Sequence, residues 1–430
     1  MEIFMAKKIS VHIAAFFAAL AVMWGLLVLT SLIPNEKIYD KLMESADHYG
    51  NIEAFSFENS DRLCSVADNY ADAILLNIMW NIDSAHPVYS SLDTKYYSGE
   101  ELGVNYGLFA ALNGIAPDTD YSRYWHGSVI FIRPLMMFTD AQGVKAVGRA
   151  AVILLAAVCC VILIRKKQYF AAAATVFSLC CVHVWNVGLS LEYIPMFIVT
   201  MTMCILYVLL EKKGDIYITA LSVIGGAAAA FFDFLTAETL SILLPLLLVI
   251  IIRYNDDRLE GSGLPLAIKS GCCWGASYLM TFVAKWAAAS AATGENRFVS
   301  AIHSAEVRIG GETDMSLPMQ IISAPLANIS TLFGGYRRVE GVRIAIGLVL
   351  TAVLFGGIWL MFRKRDLPKA AKAVIMLGLV PYLRYIVLSN HSYLHEYFTY
   401  RAQAAAVMAL CTLVWFCIHP AKKSGRKVKR

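Results

Sequence analysis

Three aspartates in the first polar stretch of the sequence, Asp61, Asp68 and Asp72, stand seven and four residues apart, a spacing that aligns them along one stripe of a helix. Ser60 offers an N-cap, and Leu63, Ala67, Tyr70, Ile74 and Ile78 supply an apolar stripe. The segment Ser60 to Trp80 is therefore expected to lie on a membrane surface as an amphipathic helix with its carboxylates on the wet side. Most aligned aspartates merely solvate a helix. Asp68 and Asp72 also flank Asn69 and Tyr70, and a carboxylate so placed can take the proton of an acceptor hydroxyl or ligate a divalent cation. Asp68 and Asp72 are the candidate catalytic residues. No set of metal ligands is assigned, and a divalent cation stays open as a cofactor.

A second group reads Tyr121-Ser122-Arg123-Tyr124-Trp125-His126-Gly127, followed by Arg133-Pro134. Aromatic residues at a membrane interface ordinarily form a belt. Interleaved with Arg123, His126 and Arg133, they can also stack on a sugar ring and fork onto a phosphate, as guanidinium geometry favours. Glu192, Asp233, Glu238, Lys285 and Arg384 lie near the ends of apolar runs. A charge inside a bilayer costs about 2.5–3.5 kcal/mol, so such residues face a partner or a wet cavity. Lys285 either snorkels to the interface or holds a lipid-linked phosphate. In Ser389 to Arg401, His391 and His395 are four apart, with Glu396 and Arg401 close by. The HExxH order and an obvious third ligand are missing, so a substrate-binding edge is favoured over a zinc site. No glycine-rich phosphate loop, GxSxG elbow or paired CxxC is present, which leaves ATP hydrolysis and serine hydrolysis without support.

The elements that must position these residues are apolar helices. The 430 residues are 58% hydrophobic and 16% charged, with a mean hydropathy of +0.59, whereas soluble domains average about 25% charged. About 20 apolar residues span a bilayer core. Runs of that kind occur near residues 9–33, 144–164, 170–189, 194–210, 216–234, 240–252, 266–291, 342–362, 373–388 and 402–418, giving an all-α polytopic bundle of about ten spans. The run after Lys7 and Lys8 is longer than a secretory signal and is read as an uncleaved first helix. Residues 125–138 are too short and too interrupted by Arg133-Pro134 to cross, and suit an interfacial or re-entrant segment.

Alternating the spans puts Lys7-Lys8, Arg165 to Lys167, Lys212-Lys213, Arg253, Arg363 to Arg365 and the 420–430 tail on one face, the positive-inside signature of a multi-pass cell-membrane protein with both termini cytoplasmic. The domains follow: residues 1–33 hold the N-terminus and first helix, 34–143 a large outer loop with interfacial helices, 144–291 and 342–419 further spans, and 292–341 a second outer loop. From Asn35 to Gly143 there are sixteen Asp or Glu against six Lys or Arg. The net charge of +5 is thus topological and gives no reason to expect nucleic acid. Only Cys64 of the ten cysteines lies in the large loop, so no disulfide framework is expected.

One helix, a long acidic outer loop and then many helices resemble the C-type integral membrane glycosyltransferases. The chain is also similar to uncharacterised bacterial membrane proteins bearing DNYxD, RYWHG and NHSYxHxxFTYR segments, here at Asp68 to Asp72, Arg123 to Gly127 and Asn390 to Arg401. The resemblance implies a polyprenyl-phosphate-linked sugar, a glycopolymer or lipid acceptor within the membrane, and an outer carboxylate, which Asp68 or Asp72 would supply. Such a carboxylate commonly follows the first helix closely, where Glu36 and Asp40 stand instead. The candidate substrate-binding residues are Arg123, Trp125, His126, Arg133, Lys285, Arg384, His391, His395, Glu396 and Arg401. A transporter or flippase, and a noncatalytic subunit of a polysaccharide assembly complex, are the alternatives.

Overall fold

The computed structural model describes residues 2–419 apart from 59, 100–102, 312–314, 336–339 and 364–365. The basic tail, and Lys364 and Arg365 of the last basic cluster, lie outside the described residues. The first element, α1 (Glu2–Ser31), is an apolar rod; Phe17 and Val22 on it are each 62% exposed. An apolar face so bare to water is stable only where lipid covers it.

Residues 35–140 then build a packed cap. It comprises α2 (Tyr39–Gly50), the antiparallel hairpin of β1 (Phe55–Phe57) and β2 (Val66–Asp68), α3 (Asn69–Trp80), α4 (Pro87–Ser90), β3 (Lys95–Tyr96), α5 (Val104–Leu112), β4 (Thr119–Asp120) and α6 (Val129–Leu135). In the hairpin Phe55 faces Asp68 and Phe57 faces Val66, and β3 pairs antiparallel with β4. The expected surface helix from Ser60 to Trp80 is thereby corrected. Its first half is a 3-10 turn at Leu63–Ser65 and a strand, and only Asn69–Trp80 is α-helical, begun where the Asp68 side chain accepts from the Ala71 N–H at 2.8 Å. Of the three carboxylates only Asp61 faces water; Asp68 and Asp72 are both buried. Within residues 125–138 only the short α6 forms, and it packs on α1 without crossing.

The rest of the chain is helical: α7 (Ala141–Arg165), α8 (Tyr169–Cys181), α9 (Tyr193–Leu210), α10 (Asp215–Phe232), α11 (Leu240–Asn255) and α12 (Leu264–Thr293). There follow α13 (Arg297–Gly310), α14 (Leu317–Leu332), α15 (Glu340–Phe362), α16 (Ala371–Val387), α17 (Ser389–Leu394), α18 (Glu396–Thr399) and α19 (Ala404–Ile418). Among the described residues six helices are long and apolar enough to cross a membrane: α1, α7, α9, α10, α15, and α18 running on into α19. Helix α8, with 13 residues, rises only about 20 Å against a core of about 30 Å. The stretch expected to be a second outer loop, 292–341, contains α13 and a largely buried α14 wedged against α15, α16 and α17.

Turns between the helices gather at two ends. At one, Arg258 pairs with Glu211 at 2.8 Å, Arg253 with Asp215 at 2.7 Å, and Gln168 donates to Asp256 at 2.8 Å. At the other lie the cap, Ser190 to Glu192, Asp233 to Glu238, α13 and the Ser389 to Arg401 segment. Small residues let the helices between these ends approach closely. A Cβ on Gly226 of α10 would stand 2.2 Å from the Trp274 carbonyl oxygen of α12, and one on Gly347 of α15 would stand 2.3 Å from that of Leu326 in α14. Gly226→Ala is expected to lower stability by about 1–3 kcal/mol through overpacking. Gly271→Ala, where a Cβ meets nothing within 4 Å, serves as the matched control. Thermal melts of the purified variants in one detergent check the difference.

Candidate functional site

Asp72 lies in the first turn of α3, and every acceptor position on its carboxylate is taken. One oxygen accepts from Ser190 Oγ at 2.6 Å and the Leu191 N–H at 2.7 Å, the other from Tyr49 Oη at 3.0 Å and Lys145 Nζ at 3.2 Å. Asp72 and Lys145 are 0% and 4% exposed. This clamp ties α2, α3, α7 and the turn before α9 together. It leaves Asp72 no free lone pair for a substrate proton, so the expectation of a second catalytic aspartate gives way to a structural one.

Asp68, four residues earlier, is placed differently. Its carboxylate caps α3 on one side and accepts from Tyr397 Oη at 2.8 Å on the other. It also lines a cavity of about 230 Å³ with Glu192 beside it. Burial pushes the Asp68 carboxyl up to about 6, although the hydrogen bonds from Ala71 and Tyr397 pull it down. Burial, and then the neighbouring Asp68, Asp72 and Asp233, hold Glu192 well above the usual carboxylate range. Two carboxyls this close in a dry site share one proton, so near neutrality Glu192 keeps it and Asp68 is the anion.

All five segments gathered at this end contribute to the cavity wall. The cap gives Phe55, Asp68, Tyr70, Tyr121, Tyr124 and His126; the others give Glu192, Phe234, Arg308, and the trio His391, His395 and Phe398. His395 Nδ1 lies 3.1 Å from Tyr397 Oη, whose proton goes to Asp68, so imidazole, phenol and carboxylate form one chain. Burial keeps the imidazoles neutral by lowering His126 to about 3 and His395 to about 4. Arg308, on α13, donates to the Ser304 carbonyl at 2.9 Å and leans over the Tyr124 ring, while its Nε has no partner.

Of the residues singled out from sequence, the cavity thus unites Asp68, His126, Glu192, His391 and His395. Several others are committed elsewhere. Arg133 spends its guanidinium on the Ile33 and Met79 carbonyls and on Asn35, which fastens the ends of α1 and α3 and corrects its assignment to a phosphate. Lys285 neither snorkels nor reaches the cavity; fully buried, it donates to the Ser91 and Leu92 carbonyls at 2.9 and 3.0 Å beneath Trp125. Arg384 is paired with Glu238 at 2.8 Å and bonded to Ser392. Trp125 stacks on Phe231 and donates to the Thr281 carbonyl.

Arg123 lies 4.1 Å over the Tyr121 ring and so backs one cavity wall. Arg401 is buried against Tyr193 at 4.4 Å, and Glu396 accepts from Thr331. Glu36 and Asp40 are exposed and line no part of the cavity. Arg308 and Tyr397 were not singled out from sequence. Tyr397 lies inside the Asn390 to Arg401 segment that was, whereas Arg308 gives no signal beyond being a cation on the helix Arg297–Gly310. Among the described residues no group of three His, Cys, Asp or Glu could hold a metal ion. All ten cysteines are free. The chain matches no family model, no curated protein and no solved structure.

The two aspartates should respond oppositely to amidation. Asp72→Asn breaks a buried ion pair and strands Lys145, for a loss of about 3–5 kcal/mol. Lys145→Met in the same background should recover part of it, as a double-mutant cycle by denaturant unfolding would show. Asp68 has a folded value above its ordinary 3.8, so its stabilising contribution is full below about 3.8 and is lost as pH rises through about 6. Asn caps a helix as well as Asp. Asp68→Asn is therefore expected to melt higher than the parent at about pH 7.5, with the gap closing in mild acid near pH 4.

Proposed function

We propose that this chain is an integral membrane glycosyltransferase. It moves a sugar from a polyprenyl-phosphate donor to a glycopolymer or lipid acceptor at the outer face of the cell membrane, with Asp68 as general base. In this reading the ten apolar runs all lie within the membrane, both termini are cytoplasmic, and the cap is outside. The supporting observation is a single cavity in which a buried carboxylate with a raised proton affinity, aromatic faces and one cation meet.

The chemistry needs those three features. Asp68 takes the proton of the acceptor hydroxyl as its oxygen bonds to the anomeric carbon, and the bond from that carbon to the phosphate oxygen breaks. The lipid phosphate leaves with the electron pair. Arg308 is the cation in the wall that can offset the charge, a part expected from sequence of Lys285, Arg133 or Arg384. Tyr70, Tyr121 and Tyr124 offer faces on which a sugar ring can stack. Transport would require a polar route to the far end, and the core helix α11 instead packs Leu243, Leu246, Leu247, Val249 and Ile250 as buried apolar side chains.

Purified protein in vesicles, given radiolabelled polyprenyl-phosphate sugars and an envelope-lipid extract, should transfer label. Asp68→Asn should lower single-turnover transfer by roughly 10²- to 10⁴-fold, the usual share of general-base catalysis, with the protein still folded. Normal turnover in that variant would remove Asp68 from the chemistry. For topology, a cysteine at Ser98 in the cap should react with an impermeant thiol reagent in intact cells. Reaction only after lysis would reverse the orientation.

A further inference from the structure

The cavity has a property that proton removal from a hydroxyl does not require: beside Asp68, all three of its imidazoles present a bare lone pair. Three imidazoles line it, and the partner of each fixes its tautomer. His126 Nε2 faces the Tyr121 carbonyl at 3.0 Å and His391 Nε2 faces the Leu235 carbonyl at 3.1 Å, so in each ring Nε2 carries the hydrogen and Nδ1 is a bare lone pair. His395 Nδ1 must donate to Tyr397, because that hydroxyl has given its own proton to Asp68; His395 Nε2 is then the lone pair. Two of the wall's acceptors are buried without a donor: His126 Nδ1 and Glu192 Oε1. His126 is 2% and Glu192 8% exposed. His126 also holds a positive φ of 52°, a backbone state that side-chain-bearing residues avoid, and in this conformation the ring lines the cavity.

From this wall we infer that the group seated in the cavity is a protonated primary amine carried on a sugar-sized ring, held between Asp68 and Glu192 with His126 Nδ1 as a further acceptor. A hydroxyl donates one hydrogen; an ammonium donates three and brings the positive charge that two carboxyls in a dry site lack. The ring that carries it is met by Phe55, Tyr70, Tyr121 and Phe234, whose faces suit both a pyranose and a cation. A volume of about 230 Å³ falls below the roughly 300–1,000 Å³ of drug-sized pockets, which fits one ring. Arg308 is then left for an anionic group on the same ligand. This deepens the glycosyltransferase reading, on which it rests for the identity of the ring: the sugar at this site is an amino sugar.

Seating a cation displaces the proton that the carboxyls share, so amine binding releases protons where binding of a neutral sugar does not. The charged and titratable groups around the pair are Asp72 and Tyr70 on α3, Tyr193 on α9, Asp233 after α10, Tyr397 on α18 and Arg401. Of these, Asp72 is neutralised by Lys145, and the carboxyl variants below isolate the pair from the rest.

The test is saturation-transfer NMR on the full chain in nanodiscs with glucosamine and glucose as probes. At about pH 7 glucosamine should bind roughly tenfold more tightly, a difference of about 1.4 kcal/mol. The preference should shrink toward unity near pH 5, and Glu192→Gln and Asp68→Asn should each remove most of it. Asp68→Asn is the variant expected to remain folded. Equal binding of the two sugars, no saturable binding of either, or a preference that survives both substitutions together would overturn the inference. Lost preference with transfer of a neutral sugar intact retires the amine and leaves the glycosyltransferase. Amine preference without transfer of any sugar upholds the inference and retires only the glycosyltransferase.

Discussion

The cap of this protein depends on replacing the hydration of one carboxylate. A buried charge costs several kcal/mol unless donors stand in for water, and Asp72 obtains four of them from three places in the chain: Tyr49, Lys145, and the adjacent Ser190 hydroxyl and Leu191 N–H. Each donor is drawn to one point, and with it α2, α7 and the turn that enters α9. Because α3 carries Asp72, it is held inside the cap with the polar Asn69 and Asp72 of its first turn buried. Arg133 repeats the device with carbonyl acceptors at Ile33 and Met79, and Lys285 with those at Ser91 and Leu92. The cap is therefore fastened to the helices by ions whose partners are mostly backbone.

The same bookkeeping identifies what is left over. Asp68 and Glu192 lie within reach of the Asp72 clamp, yet they meet each other and lack a cation of their own, and His126 Nδ1 lacks a donor. These groups with surplus acceptor capacity stand where the five segments meet around a cavity, which makes it the candidate site among the described residues. Fold and site are thus two outcomes of one constraint: charges that the chain satisfies itself become fasteners, and those that it leaves unsatisfied become the site.

The apolar helices were legible from sequence because their signal is local. Runs at 9–33, 144–164 and 194–210 correspond to α1, α7 and α9, each long enough to span. Arg253 with Glu211 lies at one end of the helices, and Glu192 with His391 at the other. The cap was misread because its decisive contacts are distant. Nothing near Asp72 announces Lys145 or Ser190, so a helical spacing with three carboxylates looked like a wet face. Asp68 was found by the same pattern for a different reason, since its side chain both caps α3 and reaches Tyr397, more than three hundred positions away. Arg308 was missed because an arginine on an amphipathic helix is ordinary until neighbouring segments close over it.

The central claim is that Asp68 is a carboxyl held at a raised proton affinity by its burial in this cavity. Difference infrared spectroscopy across a pH titration, comparing the parent with Asp68→Asn, reads its ionisation directly. A carboxylic-acid band that belongs to Asp68 and disappears with a midpoint near 6 is the predicted result, and a midpoint at the ordinary value of 3.8 would contradict it.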